Sequence, residues 1–284
     1  MANDLQSWVW MNDRLLPRDQ AAIAITDNGL LVGDGVFETL VARGGLVFAE
    51  REHWQRLVRS CEALGLAPPA WPVFQQWIAT VLQENCLSEA RIRVTLTSGS
   101  GALASRSADA GGTVLVTAAA LAQWPATAQV ALCPWIRHPA AALAGVKSVS
   151  YGENVRALVW AKTRHCDEAL FANNEGALCE GATSNVFLAS GDRLVTPPLS
   201  AGCLAGVTRA LVLQACAEAG LTYVEETIPA TILSDTPEAF LTSTTRGIQP
   251  ISELDGRRLA DAPGPLTLAA RDAFANLVRR RGGR

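Results

Sequence analysis

Arg91-Ile-Arg-Val-Thr-Leu-Thr97 alternates polar and apolar side chains, the period of a strand with one buried face. Ser7–Asn12 and Arg14–Pro17 read as two more strands about the turn-forming Asn12-Asp13, and Asp27-Asn28-Gly29 is a further turn signal. Gly33-Asp34-Gly35 leads into a strand over Val36–Val41, which Gly44-Gly45 closes as a hairpin onto Leu46–Phe48. Gly112–Ala118 makes another strand. The period changes at Glu52. From there Trp54, Leu57, Val58, Cys61 and Leu64 recur at helical spacing until Gly65 stops the run. Pro72–Leu82 repeats that spacing with Phe74, Trp77, Ile78 and Leu82.

Residues 119–128 turn to Ala, Pro, Gln and Trp, the composition of a short linker. Beyond it the pattern predicts a strand at Val130–Pro134, a helix at Glu153–His165 and strands about turns at Asn173–Gly176 and Ser190–Asp192. A helix at Val207–Ala219 and a strand at Ala239–Thr242 complete the reading. There is no internal repeat. Strands and helices mix without βαβ order, which predicts an α+β chain of two lobes. The expected division is a small domain over 1–118, the linker 119–128 and a larger domain over 129–284.

Composition narrows the class. Apolar residues at 49% and charged residues at 18% describe an ordered globular protein, and a net charge of −3 gives no reason to expect nucleic acid or an anionic membrane as partner. The opening MANDLQSWVWMNDRLLP is not a signal peptide, and no apolar run approaches membrane-spanning length; the expected location is the cytoplasm. Seven scattered cysteines without a CxxC pair argue against a disulfide framework, and three separated histidines argue against a metal site.

The basic residues carry more information. Of 24 Lys and Arg, only Lys147 and Lys162 are lysines, and Lys147 follows the small, apolar Ala-Ala-Leu-Ala-Gly-Val. Arginine cannot lose its proton to become a nucleophile, so a lysine kept there suggests an amine that reacts. Glu180 ends the apparent strand Gly176–Cys179, and Gly181-Ala182 leaves room for a flat group. A carboxylate there would keep a heteroaromatic nitrogen protonated, as a pyridoxal phosphate ring requires to act as an electron sink. Gly206-Val207-Thr208 opens a helix whose first N–H groups favour an anion. Thr242-Ser243-Thr244-Thr245 reads as a turn or as hydroxyl donors to a phosphate, and Arg56, a polar side chain beside the apolar stripe of its helix, either covers apolar surface in solvent or grips a phosphate. An amine for an aldehyde, a carboxylate for a ring nitrogen and a cup for a phosphate make a complete set.

These residues resemble the class IV, or fold type IV, pyridoxal-phosphate enzymes, which include branched-chain and D-amino-acid aminotransferases and aminodeoxychorismate lyases. The resemblance runs through TDNGLLVGDGVFETL (26–40), EHWQRL (52–57), KSVSYGENVRA (147–157), DEALFANNEGALCEGATSNVF (167–187), LVTPPLSAGCLAGVTR (194–209) and AFLTSTTRGIQPI (239–251). It implies a smaller N-terminal α/β lobe, a larger C-terminal pseudo-barrel lobe carrying the lysine, pyridoxal 5'-phosphate in the cleft between them, and a homodimer. By position it makes Lys147 the residue of the internal aldimine, with Glu180 on the pyridine nitrogen and Arg56 on the phosphate. Asn185, Gly206, Val207, Thr208, Ser243 and Thr244 would complete the cofactor site, and Tyr151 would lie near the ring hydroxyl. Lys162 fits none of these places.

The implied reaction exchanges an amino group between an amino acid or amine and a 2-oxo acid. The alternative is an aminodeoxychorismate lyase making 4-aminobenzoate and pyruvate, which needs the same Lys147 and Glu180; a third reading is a binding protein that kept the fold without the chemistry. D-amino-acid aminotransferases and many of the lyases carry an arginine just after the strand matching Arg91–Thr97, where this chain has Ser98. Arg106 and Arg246 are the candidate replacements for the substrate carboxylate, and Phe37 is expected on the substrate side.

Overall fold

The alternation in Arg91–Thr97 becomes the middle of an antiparallel sheet. The computed structural model describes residues 7–101 and 112–282. The chain packs as two units, one of Met1–Ala122 with Val146–Tyr151, the other of Gln123–Gly145 with Gly152–Arg284. In the first unit the elements are β1 (Trp8–Met11), β2 (Arg14–Pro17), α1 (Asn28–Leu31), β3 (Gly35–Arg43), β4 (Leu46–Val47), α2 (Glu50–Ala63), α3 (Trp71–Glu84), β5 (Ala90–Thr97) and β6 (Val114–Ala120). The six strands lie in the order β2-β1-β6-β5-β3-β4.

Period-2 alternation sends Val36, Leu40 and Ala42 of β3 and Ile92, Val94 and Leu96 of β5 into one core with Leu57 and Cys61 of α2 and Phe74, Ile78 and Val81 of α3. The apolar stripe of α2 is thus the one its spacing predicted. Gly65, in the left-handed region at φ 64°, ends the helix while Leu66 N donates back to Cys61 O. Asp27-Asn28-Gly29, expected as a turn, forms the start of a one-turn helix instead. Asp27 caps it by accepting from Gly29 N at 2.7 Å, and its other oxygen accepts from Thr97 and Thr113 hydroxyls at 3.0 and 2.6 Å.

Val146–Tyr151, expected within the C-terminal domain, packs with the first unit. The cause is backbone pairing. Phe37 N donates to Lys147 O and Val149 N to Gly35 O, each at 2.9 Å, so residues 147–149 run beside the start of β3 like a short extra strand.

The second unit comprises β7 (Ala128–Arg137), α4 (Gly152–Thr163), β8 (Glu168–Asn173), β9 (Leu178–Gly181), β10 (Asn185–Ser190), β11 (Arg193–Thr196), α5 (Val207–Glu218), β12 (Tyr223–Glu225), β13 (Ala239–Ser243), β14 (Gly247–Leu254), β15 (Arg257–Arg258) and α6 (Pro265–Gly282). Its mixed sheet runs β12-β11-β10-β13-β14-β7-β8-β9, with β15 paired to β14. Both faces are covered. Val186, Leu188 and Leu241 enter one core with Val130 and Leu170, whereas Phe187 and Phe240 stack on the other face against Val212 and Cys216 of α5 and Ala270 of α6. A strand buried on both sides reads as a continuous apolar run, which is why Val186-Phe-Leu-Ala189 does not alternate.

Among the described residues no helix is long and apolar enough to cross a membrane. All seven cysteines are free, and all but Cys86 are buried. Burial pushes the Cys61 thiol up to about 12 and the Cys216 thiol up to about 11, so these groups stay protonated and behave as small hydrophobes. A disulfide-exchange reagent added to native protein is therefore expected to titrate one thiol per chain quickly, and seven only after denaturation.

Candidate functional site

Lys147 is fixed from three sides in the first unit. Its carbonyl is held by Phe37 N, its own N–H donates to Ser60 Oγ of α2 at 3.2 Å, and Ser148 bridges to Val36. The side chain then lies over the Phe37 ring, with Nζ 4.4 Å from the centroid. Tyr151 meets the same ring edge-on at 5.4 Å, and the Arg93 guanidinium lies 3.8 Å from its centroid. Lys162, by contrast, is exposed on α4. Three residues singled out by sequence, Phe37, Lys147 and Tyr151, thus meet around one aromatic ring. Arg93 joins them from the strand face opposite the core, a position its alternation gives but whose chemistry the sequence does not mark.

Arg56 lies in a buried charge cluster. Its Nε and Nη2 donate to the two oxygens of Glu38 at 2.7 and 2.8 Å, and His53, one helical turn earlier, reaches the same carboxylate through Nδ1 at 2.8 Å. Burial would by itself raise Glu38, but the Arg56 charge and the hydrogen bonds from Arg56 and His53 hold it well below the usual carboxylate range. His53 is lowered, chiefly by burial, so it is neutral near pH 7 and its Nδ1–H donates as a hydrogen bond rather than as half of an ion pair. Glu38 and His53 carry no mark in the sequence beyond a charge at an inward strand position and the His53–Arg56 spacing.

The second unit assembles the other candidates. Glu180 sits on β9 opposite Phe171 of β8. Its Oε2 accepts from Leu204 N at 2.9 Å, while Asn185 Nδ2 donates to Leu204 O at 3.0 Å. Two candidates therefore grip both ends of one residue and set the turn that enters α5. Gly206 is the N-cap there and no side chain caps the helix. A Cβ at Gly206 would come within 1.9 Å of Asn185 Oδ1, so the turn admits only glycine as built. Val207 and Thr208 give α5 its first N–H groups, and Thr208 adds a buried hydroxyl. The register Asn185↔Thr242 between β10 and β13 brings the end of β13, with Ser243 and the following Thr244, to the same end of the sheet.

Arg246 has a different setting from the one expected for a substrate-binding group. Its guanidinium pairs with buried Glu168 at 3.0 Å, donates to Thr183 and lies over Trp124 at 4.2 Å. Arg106 falls outside the described residues. Glu180 has a cationic neighbour that sequence reading missed: Arg137 Nε lies 3.5 Å from Glu180 Oε1. Among the described residues no group of three or more His, Cys, Asp or Glu is arranged to hold a metal.

The first unit holds an amine, and the second unit by itself holds a carboxylate and helix-start amides with nearby hydroxyls, groups of the kinds a phosphorylated pyridine aldehyde would need. A family model described as amino-transferase class IV matches residues 35–254. A putative branched-chain-amino-acid aminotransferase of Methanocaldococcus jannaschii is 30% identical over 283 residues, covering 95% of this chain and 96% of that protein. A D-alanine aminotransferase of Bacillus licheniformis is 30% identical over 281 residues, with coverage of 95% and 96%. The crystal structure of a branched-chain aminotransferase from Thermoproteus uzoniensis with norvaline superposes with a TM-score of 0.90 at 28% identity, over 97% of this chain and 95% of that one.

Two outcomes follow from the geometry. Glu38→Gln leaves the buried Arg56 charge uncompensated and is expected to cost roughly 3–5 kcal/mol in urea unfolding. Because the folded Glu38 pKa lies below its unfolded value near ~4.3, its contribution is complete above about pH 5 and lost as the pH falls through the folded value, so the deficit of the variant shrinks in acid. Gly206→Ala forces Asn185 off Leu204 and is expected to destabilise by about 1–3 kcal/mol in the same assay.

Proposed function

The chain belongs to the class IV aminotransferases, and from that premise we propose that it moves an amino group between an α-amino acid and a 2-oxo acid with pyridoxal 5'-phosphate as cofactor. The observation that carries the reading is Lys147: one of two lysines in the chain, pinned by backbone to β3 and turned onto Phe37, while Lys162 points to solvent. Arg56, the first amides of α5, Thr208, Ser243 and Thr244 would hold the phosphate, and Glu180 would accept from the ring nitrogen. Bound there, the cofactor supplies an electron sink that makes the proton beside a substrate amine removable.

The residues of the chain do the rest. Lys147 Nζ, in its neutral form, takes the proton from the substrate Cα and gives it back to carbon, and one amine on a fixed segment serves both transfers. Phe37 and Tyr151 restrict where that amine can swing and offer apolar surface to the substrate side chain. Glu38 holds the planar Arg56 guanidinium in one orientation, so the arginine would meet a phosphate already oriented. Exposed Ile25, Leu30 and Leu31 around α1 give apolar surface that a second copy would cover, in keeping with a homodimer.

Purified protein loaded with pyridoxal phosphate and mixed with L-leucine, D-alanine or other amino acids is expected to convert the bound cofactor to its aminated form, read by absorbance, with release of the 2-oxo acid. Lys147→Ala is expected to slow this by about a thousandfold or more, with Lys162→Ala unaffected. No conversion by any amino acid, together with pyruvate release from aminodeoxychorismate, would replace the reading by a lyase.

A further inference from the structure

The buried face of α2 is not wholly apolar. His53, Arg56 and Ser60, at 1%, 5% and 3% exposure, recur at helical spacing and so share one side of the helix. His53 and Arg56 both engage Glu38 of β3, at 2.8 Å and at 2.7 and 2.8 Å. Ser60, one turn beyond Arg56, has a different partner: its Oγ accepts from Lys147 N at 3.2 Å. One helix face therefore touches both the charge cluster and the backbone of the lysine, and all of these residues belong to the first unit.

The two ends of the lysine segment are held differently. From Lys147 onward the chain is tied to β3 and its approach: Phe37 N donates to Lys147 O and Val149 N to Gly35 O, each at 2.9 Å, and Ser150 Oγ donates to Gly33 O at 3.0 Å. Before Lys147 the chain arrives from exposed residues 140–143, and Val146 packs on the core that α2 and α3 share. Apolar packing resists withdrawal of Val146 but sets no direction, whereas a hydrogen bond does. The Ser60 hydroxyl thus fixes how the Lys147 peptide faces α2, and with it the origin from which the side chain reaches over Phe37.

We propose that Ser60 is a positioning residue: it references the Lys147 amine to the helix that carries Arg56, so that an aldehyde gripped through its phosphate by Arg56 meets the amine in register. This rests on the reading that Arg56 holds the phosphate and that Lys147 reacts. An aldehyde anchored by its phosphate cannot move to find the amine, so the amine must already stand at the carbonyl carbon. In the condensation the amine nitrogen attacks that carbon, a C=N bond replaces C=O, and the oxygen leaves as water with the two amine hydrogens. A displaced nitrogen slows this step even though both groups are present. An aldehyde without the phosphate can follow the amine wherever it goes, and loses little when the Ser60 acceptor is removed.

The test mixes full-length apoprotein with pyridoxal phosphate or with 5'-deoxypyridoxal, which keeps the ring and aldehyde but has no phosphate arm. The rate at which the C=N absorbance grows is read for each, and borohydride reduction with peptide mapping locates the label. Wild type is expected to be labelled on Lys147 and to react with the phosphorylated aldehyde about a hundredfold faster or more. Ser60→Ala is expected to lower that ratio by about fivefold to tenfold, the worth of one hydrogen bond, with the phosphate-free rate unchanged. Ser60→Cys, which nearly keeps the volume and weakens the acceptor, is expected to do the same, and it carries the test if the alanine variant does not fold. If both rates fall by one factor, or neither changes, Ser60 only supports the fold and the inference alone is overturned. A wild type with no preference for the phosphorylated aldehyde, or labelled elsewhere, would instead remove the roles of Arg56 and Lys147, and the inference with them.

Discussion

A carboxylate taken out of water must be neutralised, hydrogen-bonded or paired, and among the described residues three buried ones are paired with arginine. Glu38 meets Arg56, Glu168 meets Arg246, and Glu180 meets Arg137. Glu238 shows the other solution, accepting from Leu266 and Thr267 N at the start of α6. Arginine suits the pairing because it stays charged under all conditions and its planar fork stacks on aromatic faces, as Arg137 does on Phe171 and Arg246 on Trp124. The scarcity of lysine then has a physical reading: the structural cations must never deprotonate, whereas an amine proposed to react, Lys147, must be able to.

β3 shows how one strand separates those duties. Alternation sends Glu38 inward to Arg56 and His53, and leaves Phe37, its neighbour, to carry the lysine, the tyrosine and Arg93 on the other face. The Arg56 guanidinium and the Lys147 amine are thereby referenced to the same stretch of backbone, because Phe37 N and Gly35 O also hold residues 147–149. A register slip of one residue would exchange the faces, burying Phe37 among the charges and exposing Glu38. The ladder from Gly35↔Thr97 to Ala42↔Ala90, together with the Asp27 bonds to Thr97 and Thr113, opposes such a slip.

Much of this was legible in the sequence where the signal is local. The α2 stripe, its stop at Gly65, the β3 and β5 strands and the glycine before α5 all lie where spacing and turn residues put them. α6 was not foreseen, because its buried positions include the small Ala270 and Ala273, which look unlike a core stripe until β13 and α5 are packed against them. The lysine segment was expected with the C-terminal domain because its neighbours in sequence belong there; its backbone bonds are to residues more than a hundred positions away. Arg246 was a candidate for a substrate carboxylate for a similar reason. Nothing in Thr-Thr-Arg-Gly reveals that β8 brings Glu168 to meet it.

Residue types announce which groups can pair, but distance decides what the pair is for. Glu38–Arg56 and Glu180–Arg137 have identical chemistry, and their sequence contexts are equally ordinary. At 2.7 Å with both oxygens engaged, the first is complete in itself, and its product is a rigid guanidinium. At 3.5 Å the second is a charge contact rather than a hydrogen bond, and Glu180 Oε2 accepts from Leu204 N. Such a spacing is poor for stability, since a buried N–H without a hydrogen bond costs free energy that a slightly nearer carboxylate would recover. A fold keeps an unfavourable contact of this kind when surrounding contacts over-determine it, and the Phe171 stack, the Glu153 bond and the Leu204 amide do so here.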